Sequence, residues 1–266
     1  MIDQLGREIN LSQKPRRIVS LVPSQTELLA HLSLENEVVG ITKFCIYPDR
    51  WLKSKKRIGG TKQLDLEAIY NLEPDLIIGN KEENVQGQVE QLTRRFPVWM
   101  SDVNSLGDAL DMIRKVSELT GKAIEGEQIA SNIELRFSEL QEFVLQIPIR
   151  SVAYFIWKNP WMVAANHTFI DDILHRCGLV NCFKPRDRYP EINPHKLKEI
   201  NPDFLMLSSE PFPFTKQDGE FLKSNSPESH PVLVNGEYFS WYGPRLAEAV
   251  DYFMKIRLQM EKYFVD

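Results

Sequence analysis

The chain of 266 residues has few cysteines, and their spacing fits neither a disulfide framework nor a metal site. Cys45, Cys177 and Cys182 cannot all pair with one another, and no C-x-x-C spacing occurs. C-x-x-C pairs are typical of structural zinc sites, and several disulfide-bonded cysteine pairs are typical of small secreted domains. We therefore expect reduced thiols and no resident metal ion.

Long apolar runs are also missing from the sequence. No stretch approaches the roughly 18–20 apolar residues that a membrane-spanning helix needs, so no membrane span is expected. Residues 1–8 are polar and lack the apolar core of a secretory signal. The sequence as it stands predicts a cytoplasmic protein, or a periplasmic one from which an export signal has been removed.

An excess of basic charge is lacking as well. Lysine and arginine number 32 against 37 acidic residues, which gives a formal net charge of −5. A nucleic-acid-binding surface requires a basic stripe, whereas the short basic run at 53–57 is typical of a solvated helix end. We expect no nucleic acid as a partner.

The sequence contains none of the motifs that identify common enzyme classes. Phosphate-binding loops, dinucleotide fingerprints, nucleophile elbows and H-E-x-x-H zinc sites do not occur. We therefore predict no catalytic residue. Two alternatives stay open: an enzyme that acts on a small molecule through Cys45, Lys62, Glu82 and Glu83, and a regulatory module that binds a partner protein.

What the sequence does contain is an alternation of strands and helices. Short apolar runs rich in β-branched residues begin near positions 17, 38, 76 and 97, and segments with helical spacing lie between them. This alternation predicts an α/β fold with a parallel sheet that helices cover on both faces. Ser24 and Glu27 predict a capping box, with the first helix beginning at Ser24 or shortly after it.

One predicted helix is much longer than the others. Apolar residues recur every three or four positions from Ile129 to Val144, and the next proline is Pro148. At 1.5 Å per residue the segment gives a helix of about 35 Å. We expect a monomer with two doubly wound parallel-sheet lobes, 1–121 and 148–266, joined by one long backbone α-helix over 122–147. Because open α/β sheets bind ligands beyond their carboxyl strand ends, a ligand cleft between the lobes is expected.

The two predicted lobes share an internal repeat. The segments 67–78 and 195–206 each contain a short helix, a Pro-Asp pair and an apolar strand, so that Pro74 corresponds to Pro202. The opening strands of the lobes, which begin at Arg17 and Arg150, have a similar separation. The same order of segments on both sides of a long helix predicts a duplicated lobe. The repeat pairs Glu67 with His195.

The order of these segments resembles the helical-backbone metal receptor family. The resemblance rests on 17–27, the 66–78 unit, the long helix and 168–172, and it extends over nearly the whole chain. The family comprises class III substrate-binding proteins of ABC importers, including vitamin-B12- and ferric-siderophore-binding members, and the chain also resembles its signal-less branch. The resemblance implies a cobalt- or iron-containing chelate as the ligand (a cobalamin-like corrinoid, a ferric siderophore or haem), no covalent cofactor, and an ABC importer permease as the partner.

The resemblance implies that aromatic rings line the ligand cleft, because flat rings suit the face of a corrin or a porphyrin. In the first lobe Phe44 or Tyr47 matches such a position. In the second lobe the candidates are Trp161, Met162 and Tyr189, together with Trp241 and Tyr242 in a loop before a helix start.

Polar residues in loops of the first lobe are further ligand-binding candidates. They lie after predicted strands or before predicted helices: Ser24, Cys45, Thr61, Lys62, Lys81, Glu82 and Glu83. The lysines fit a ligand carboxylate or phosphate, and the glutamates fit amines or a hard metal ion. Alternatively, Glu82 and Glu83 only favour a helix N-terminus through its dipole.

The family resemblance also implies one exposed glutamate on each lobe that pairs with arginines of the transporter. Glu67 fits the first position, and the repeat places His195 at the second. A histidine is neutral or cationic and does not replace a carboxylate that faces arginine. Glu67 and His195 are the transporter-docking candidates, and docking by the second lobe is in question.

Overall fold

A computed structural model of the chain describes residues 1–264, which divide into two compact units. Unit 1 comprises Met1–Val103, Gly107–Ile133 and the short segment Tyr242–Pro244. Unit 2 comprises Asn104–Leu106, Glu134–Trp241 and the chain from Arg245. Within residues 1–264 no helix combines the length and the apolar character needed to cross a bilayer.

Strands and helices alternate along the first half of the chain. The strands are β1 (Ile18–Ser20), β2 (Val38–Ile41), β3 (Lys56–Arg57), β4 (Gly59–Gly60), β5 (Gln63–Leu64), β6 (Leu76–Asn80) and β7 (Val98–Ser101). The helices are α1 (Pro23–His31), α2 (Asp49–Ser54), α3 (Leu66–Leu72), α4 (Gln86–Thr93), α5 (Leu106–Leu119) and α6 (Ala123–Val144). At 22 residues α6 is the long helix that the sequence predicts, and it contributes residues to both units.

The sheet of unit 1 is parallel, with strand order β3-β2-β1-β6-β7. Its central strand β1 pairs with β6 in the register Ile18 to Leu76, and every residue of β1 and β6 is buried. Because both faces of these strands are buried, their sequences consist mainly of consecutive apolar residues and do not alternate between apolar and polar residues. The predicted α/β class with a parallel sheet is confirmed.

The start of α1 differs from the predicted capping box. The helix begins at Pro23, its N-cap is Val22, and no side chain caps it. Proline suits the first helical position because its fixed φ matches the helix and it has no N–H to satisfy. Ser24 lies inside the first turn and is buried. The predicted capping role of Ser24 is therefore wrong.

The second half of the chain repeats the plan with one addition. Its strands are β8 (Arg150–Trp157), β9 (Met162–Ala164), β10 (Leu179–Asn181), β11 (Phe204–Ser208) and β12 (His230–Val234). Its helices are α7 (Phe169–Arg176), α8 (Leu197–Ile200), α9 (Lys216–Asn225), α10 (Gly236–Ser240) and α11 (Leu246–Glu261), with 3-10 turns at Pro194–Lys196 and Lys262–Phe264. The strand order is β10-β8-β11-β12, all parallel, and β9 is added as an antiparallel partner of β8.

The internal repeat extends to the backbone conformation. Helix α3 ends at Glu73 (φ 42°, ψ 58°), and α8 ends at Asn201 (φ 46°, ψ 59°), so both close with a left-handed residue before a proline. In the central strand pair of each sheet, Leu76 lies beside Ile18 and Phe204 lies beside Val152.

This pairing makes Val152 the structural equivalent of Ile18. Matching Arg17 to Arg150 in the sequence instead pairs Ile18 with Ser151, the position before it. The predicted alignment of the opening strands is therefore shifted by a single position, because their apolar runs alone do not set the register. The two units share one strand-pairing scheme.

Candidate functional site

The parallel sheet of unit 1 brings several loops to one edge. The carboxyl ends of parallel strands lie on the same side, which is where open α/β sheets bind ligands. The segments that follow β1, β2 and β6 carry most of the polar and aromatic candidates of this unit, namely Ser24, Phe44, Cys45, Tyr47, Lys81, Glu82 and Glu83. The structure places these residues at one edge of the sheet, and their contact with a ligand stays a prediction.

Two asparagines fix the loop after β6. Asn80 Oδ1 accepts hydrogen bonds from the backbone N–H groups of Glu82 and Glu83 at 2.8 and 3.0 Å, and Asn84 Oδ1 accepts from the Asn80 N–H at 2.9 Å. Both asparagines are buried, and both glutamates are half-buried. Helix α4 begins only at Gln86 and has no acidic residue in its first turn, so the interpretation of these glutamates through a helix dipole is wrong.

The lysines of this edge are engaged within the unit. Lys62 Nζ donates to the backbone oxygen of Glu82 at 2.5 Å, and Asn84 Nδ2 donates to the backbone oxygen of Thr61 at 3.1 Å. These bonds attach the turn between β4 and β5 to the loop after β6. Lys81 Nζ pairs with Asp102 at 2.6 Å. Both lysines are exposed, and contact of either one with a ligand stays a prediction.

Tyr242 joins this edge from a distant part of the sequence. Its hydroxyl donates to Glu83 Oε1 at 3.0 Å. Burial raises the pKa of Tyr242 well above its ordinary value of 10.0, and the charge of Glu83 raises it further. A side chain on Gly243 would place its Cβ 3.0 Å from the backbone oxygen of Ser24, which indicates how closely this segment approaches α1. Tyr242 is thus a buried member of unit 1.

The loop after β2 carries one exposed and one buried candidate. Phe44 is 51% exposed, and its ring lies against Gly60, where an added Cβ would approach the ring to 3.1 Å. Cys45 is fully buried, with Thr26 Oγ1 and Thr42 Oγ1 at 3.0 and 3.1 Å from its sulfur. Burial raises the pKa of the Cys45 thiol. The ring of Phe44 is therefore accessible at the surface, whereas Cys45 lies in the interior.

In unit 2, Trp161 belongs to an aromatic stack. Phe214 and Phe221 lie nearly parallel to its indole, with centroid distances of 5.8 and 5.6 Å and interplanar angles of 14° and 10°. Phe155 meets it edge-on at 5.8 Å. The indole also packs against the buried core of the unit. Phe214 and Phe221 thus pack closely around the indole, and ligand contact by Trp161 stays a prediction.

Trp157 and Phe212 form an aromatic pair that the sequence reasoning missed. Trp157 is the last residue of β8, at the carboxyl edge, and is 39% exposed. Phe212 lies in the segment after β11 and meets Trp157 at 5.7 Å with an interplanar angle of 72°. A tryptophan directly after a predicted strand was the available signal, because ligands bind where parallel strands end. The neighbouring candidate Met162 is half-buried at the start of β9.

The remaining aromatic candidates of unit 2 lie in ordered polar surroundings. Trp241 is buried, and its Nε1 donates to Glu210 at 2.9 Å. Tyr189 is half-buried, and the guanidinium of Arg188 lies 5.9 Å from its ring centre. Arg188 in turn donates to Asn104 Oδ1 at 3.1 Å. Trp241 therefore has a structural hydrogen bond, whereas Tyr189 lies beside a cation.

The two docking candidates have different surroundings. Glu67 is exposed and lines a surface pocket of about 290 Å³ together with Lys56, Asp65 and Asn71. His195 is exposed as well, but its ring lies edge-on to Phe221 at 6.5 Å, next to the Trp161 stack. His195 and Trp161, to which the sequence analysis assigns different roles, thus share a ring neighbour.

Metal-binding groups are not clustered in the part of the chain that the structure describes. Among residues 1–264 no three histidine, cysteine, aspartate or glutamate side chains are placed to hold an ion.

Comparison with known proteins identifies a family. A family model described as periplasmic binding protein matches residues 18–229. An uncharacterized ABC transporter substrate-binding lipoprotein of Bacillus subtilis is 23% identical over 261 residues, which cover 94% of this chain and 82% of that protein. The vitamin B12-binding protein of Pectobacterium atrosepticum is 24% identical over 241 residues, covering 87% of this chain and 85% of that protein.

A solved structure shows the same fold. The periplasmic heme-binding protein from Roseiflexus sp. RS-1, in its apo form, superimposes with a TM-score of 0.81 over 92% of this chain and 98% of that chain, at 22% identity. The similarity confirms the predicted fold class.

Proposed function

The chain belongs to the periplasmic binding protein family, and from this premise we propose that it holds a metal chelate for delivery to an ABC importer. The family is one of solute-binding proteins. The chelate we propose is a cobalamin-like corrinoid, a ferric siderophore or haem. This choice is supported by relatives whose names specify vitamin B12 and heme.

The observation that carries the proposal is the presence of accessible aromatic rings at the carboxyl edge of each sheet. Phe44 in unit 1 and Trp157 in unit 2 expose 51% and 39% of their surface there. Such rings bury a large apolar area with a defined geometry when they stack on a macrocycle. Tyr47, Tyr189 and Met162, all half-buried near these edges, are proposed as additional contacts.

We propose that the polar candidates contact the peripheral polar groups of the ligand. Thr61, Lys62 and Lys81 are proposed to meet carboxylate or amide groups, while Glu82 and Glu83 accept from amide donors. Ser24, Cys45, Trp241 and Tyr242 are buried, so we assign them a supporting role behind the contacting groups.

The enzyme alternative is not favoured, because its proposed nucleophile Cys45 is buried and burial raises the pKa of the thiol. A thiol must ionise to act as a nucleophile. We also propose that the chain acts outside the cytoplasm, as the words periplasmic and lipoprotein in the names of its relatives suggest.

The proposal is tested by equilibrium dialysis of the purified chain against cobalamin, haem and ferric siderophores in turn. We expect one of these classes to accumulate on the protein side and to be displaced by an excess of the same chelate. Equal concentrations on both sides for all three classes would reject a metal-chelate ligand.

A further inference from the structure

Three parallel strands of unit 2 begin at the same edge of its sheet, opposite the edge at which open α/β sheets bind ligands. Strand β8 begins there at Arg150, β11 at Phe204 and β12 at His230. The ring centres of Tyr263 and Phe264 lie 5.9 and 5.7 Å from that of Phe204. The 3-10 turn that follows α11 therefore packs over the start of the sheet.

The connection between α6 and β8 lies against the end of α11. Arg257 Nη2 donates to the backbone oxygen of Pro148 at 2.6 Å, and Arg150 pairs with Glu261 at 2.6 Å. The guanidinium of Arg150 also lies 3.6 Å from the ring centre of Phe264. These contacts join the connection, the last turn of α11 and the 3-10 turn into one surface of unit 2.

This surface exposes several large hydrophobic side chains. We define residues 145–150 and 255–264 as the amino-edge patch. Its exposed hydrophobic side chains, which are between 42% and 80% accessible, are Leu145, Ile149, Leu258, Tyr263 and Phe264. Single hydrophobic residues are common on protein surfaces, whereas a group of them on adjoining segments marks an interaction site.

The amino-edge patch is also basic. It contains four basic residues and only Glu261 as an acidic one, a formal charge of +3 in a chain whose formal net charge is −5. Glu261 is shared by the guanidinium groups of Arg150 and Arg257, and the remaining cations, Lys255 and Lys262, are exposed. A second copy of the patch carries the same charge, so repulsion opposes self-association through it. An anionic surface complements the patch.

We propose that the amino-edge patch binds the surface of a membrane that contains anionic lipids. Hydrophobic and aromatic side chains flanked by lysines suit a lipid interface, because the hydrophobic groups enter the headgroup layer while the cations meet the lipid phosphates. Tyr263 suits this layer because its ring is apolar and its hydroxyl is polar. Attachment by this edge leaves the opposite edge of the sheet, where Trp157 ends β8, free for a ligand. The inference goes beyond ligand binding and holds for any ligand.

The test is co-sedimentation of the full chain with lipid vesicles. One set of vesicles contains phosphatidylcholine alone, and the other contains equal parts of phosphatidylcholine and phosphatidylglycerol. The double variant Leu145→Ser with Ile149→Ser removes two exposed hydrophobic side chains from the patch. The double variant Lys255→Glu with Lys262→Glu reverses its exposed charge.

Matched control pairs make the same changes outside the patch. Ile124→Ser with Leu135→Ser alters two side chains of α6 that are 75% and 61% exposed. Lys184→Glu with Lys216→Glu reverses two exposed lysines, one in the segment after β10 and one at the start of α9. The midpoint of urea unfolding, measured for every variant, separates loss of lipid binding from loss of the fold.

We expect the wild type to sediment with the phosphatidylglycerol vesicles and to bind phosphatidylcholine alone about tenfold more weakly, because the anionic lipid attracts the lysines. Each patch double variant should lower partition onto the phosphatidylglycerol vesicles by at least about tenfold, and each control pair by less than about twofold.

Three results would overturn the inference. The first is a wild type that sediments with neither kind of vesicle or equally with both. The second is a loss in the control pairs as large as that in the patch variants. The third is a wild-type dimer, seen by analytical ultracentrifugation without lipid and lost in Leu145→Ser with Ile149→Ser, which would assign the patch to a second copy of the chain.

Discussion

Tyr242 donates its hydroxyl hydrogen to Glu83 Oε1 at 3.0 Å, although 159 positions separate the two residues in the sequence. The bond fixes a three-residue segment of the second half of the chain within unit 1. It also orients one of the two glutamates at the carboxyl edge of the sheet. The stability of this edge therefore depends on a residue outside the local sequence.

Tyr242→Phe should lower the free energy of unfolding by about 1 kcal/mol, the usual contribution of one buried hydrogen bond. The measurement is the midpoint of urea unfolding at neutral pH. Tyr70→Phe is the matched control, because the ring of Tyr70 is placed by Phe96 and Arg95. Equal effects of the two substitutions would show that the bond to Glu83 contributes nothing.

Alkaline pH should destabilise the chain. Burial raises the pKa of Tyr242 above 10.0 and the pKa of Cys177 above 9.0. The folded state thus holds these protons more tightly than the unfolded state, so their contribution is complete below the ordinary pKa values and is lost as pH rises past them. Above its ordinary pKa, each such group lowers the free energy of unfolding by up to about 1.4 kcal/mol for every unit by which the pH rises.

Urea unfolding at pH 7, 8, 9 and 10 checks this pH dependence. We expect little change between pH 7 and 8 and a steepening decline above the ordinary thiol value of 9.0. Tyr242→Phe should make the decline shallower near pH 10, because it removes one of the contributing protons. A free energy that stays level from pH 7 to pH 10 would be incompatible with buried neutral thiol and phenol groups.

Gly59 should not tolerate a side chain. Its φ of +87° is unfavourable for other residues, and an added Cβ would lie 2.4 Å from the backbone oxygen of Gln63. Gly59→Ala is expected to destabilise the chain by about 1–3 kcal/mol. Gly87→Ala is the control, because nothing lies within 4 Å of its Cβ position, and helix propensity there favours alanine by up to about 1 kcal/mol. Thermal unfolding of both variants decides whether Gly59 is required.

Substitutions of two tryptophans in unit 2 should have different effects on protein stability and on chelate binding. Trp161→Ala removes the ring that stacks on Phe214 and on Phe221 and is expected to lower the free energy of unfolding by about 3 kcal/mol. Trp157→Ala removes an exposed ring and should change stability by less than about 1 kcal/mol. Chelate affinity should fall in Trp157→Ala. An unchanged affinity in Trp157→Ala would remove this ring from the site.

The repeat and the fold were predictable because they depend on local patterns. Buried parallel strands are continuous apolar runs, and a proline after a short helix marks its end, as at Pro74 and Pro202. The order of these segments carries the resemblance to the family, which implied the class of protein.

The side-chain arrangement of the site was not predictable to the same degree. The stack on Trp161 depends on Phe214 and Phe221, which lie much later in the chain. The bond from Tyr242 to Glu83 depends on how a distant segment folds back. Sequence spacing carries no information on such contacts, so the ring partners of Trp161 and the pair of Trp157 with Phe212 were not predicted.

Calorimetric titration of the chain with cobalamin, haem and a ferric siderophore, alongside Phe44→Ala and Trp157→Ala, tests the central claim most directly. Both rings are partly exposed, so we expect these substitutions to leave the fold intact. We predict that one chelate binds the wild type at one molecule per chain with a Kd below about 100 μM, and that each variant binds it at least about tenfold more weakly. Saturable binding by none of the three, or equal affinity of the wild type and both variants, would contradict the account.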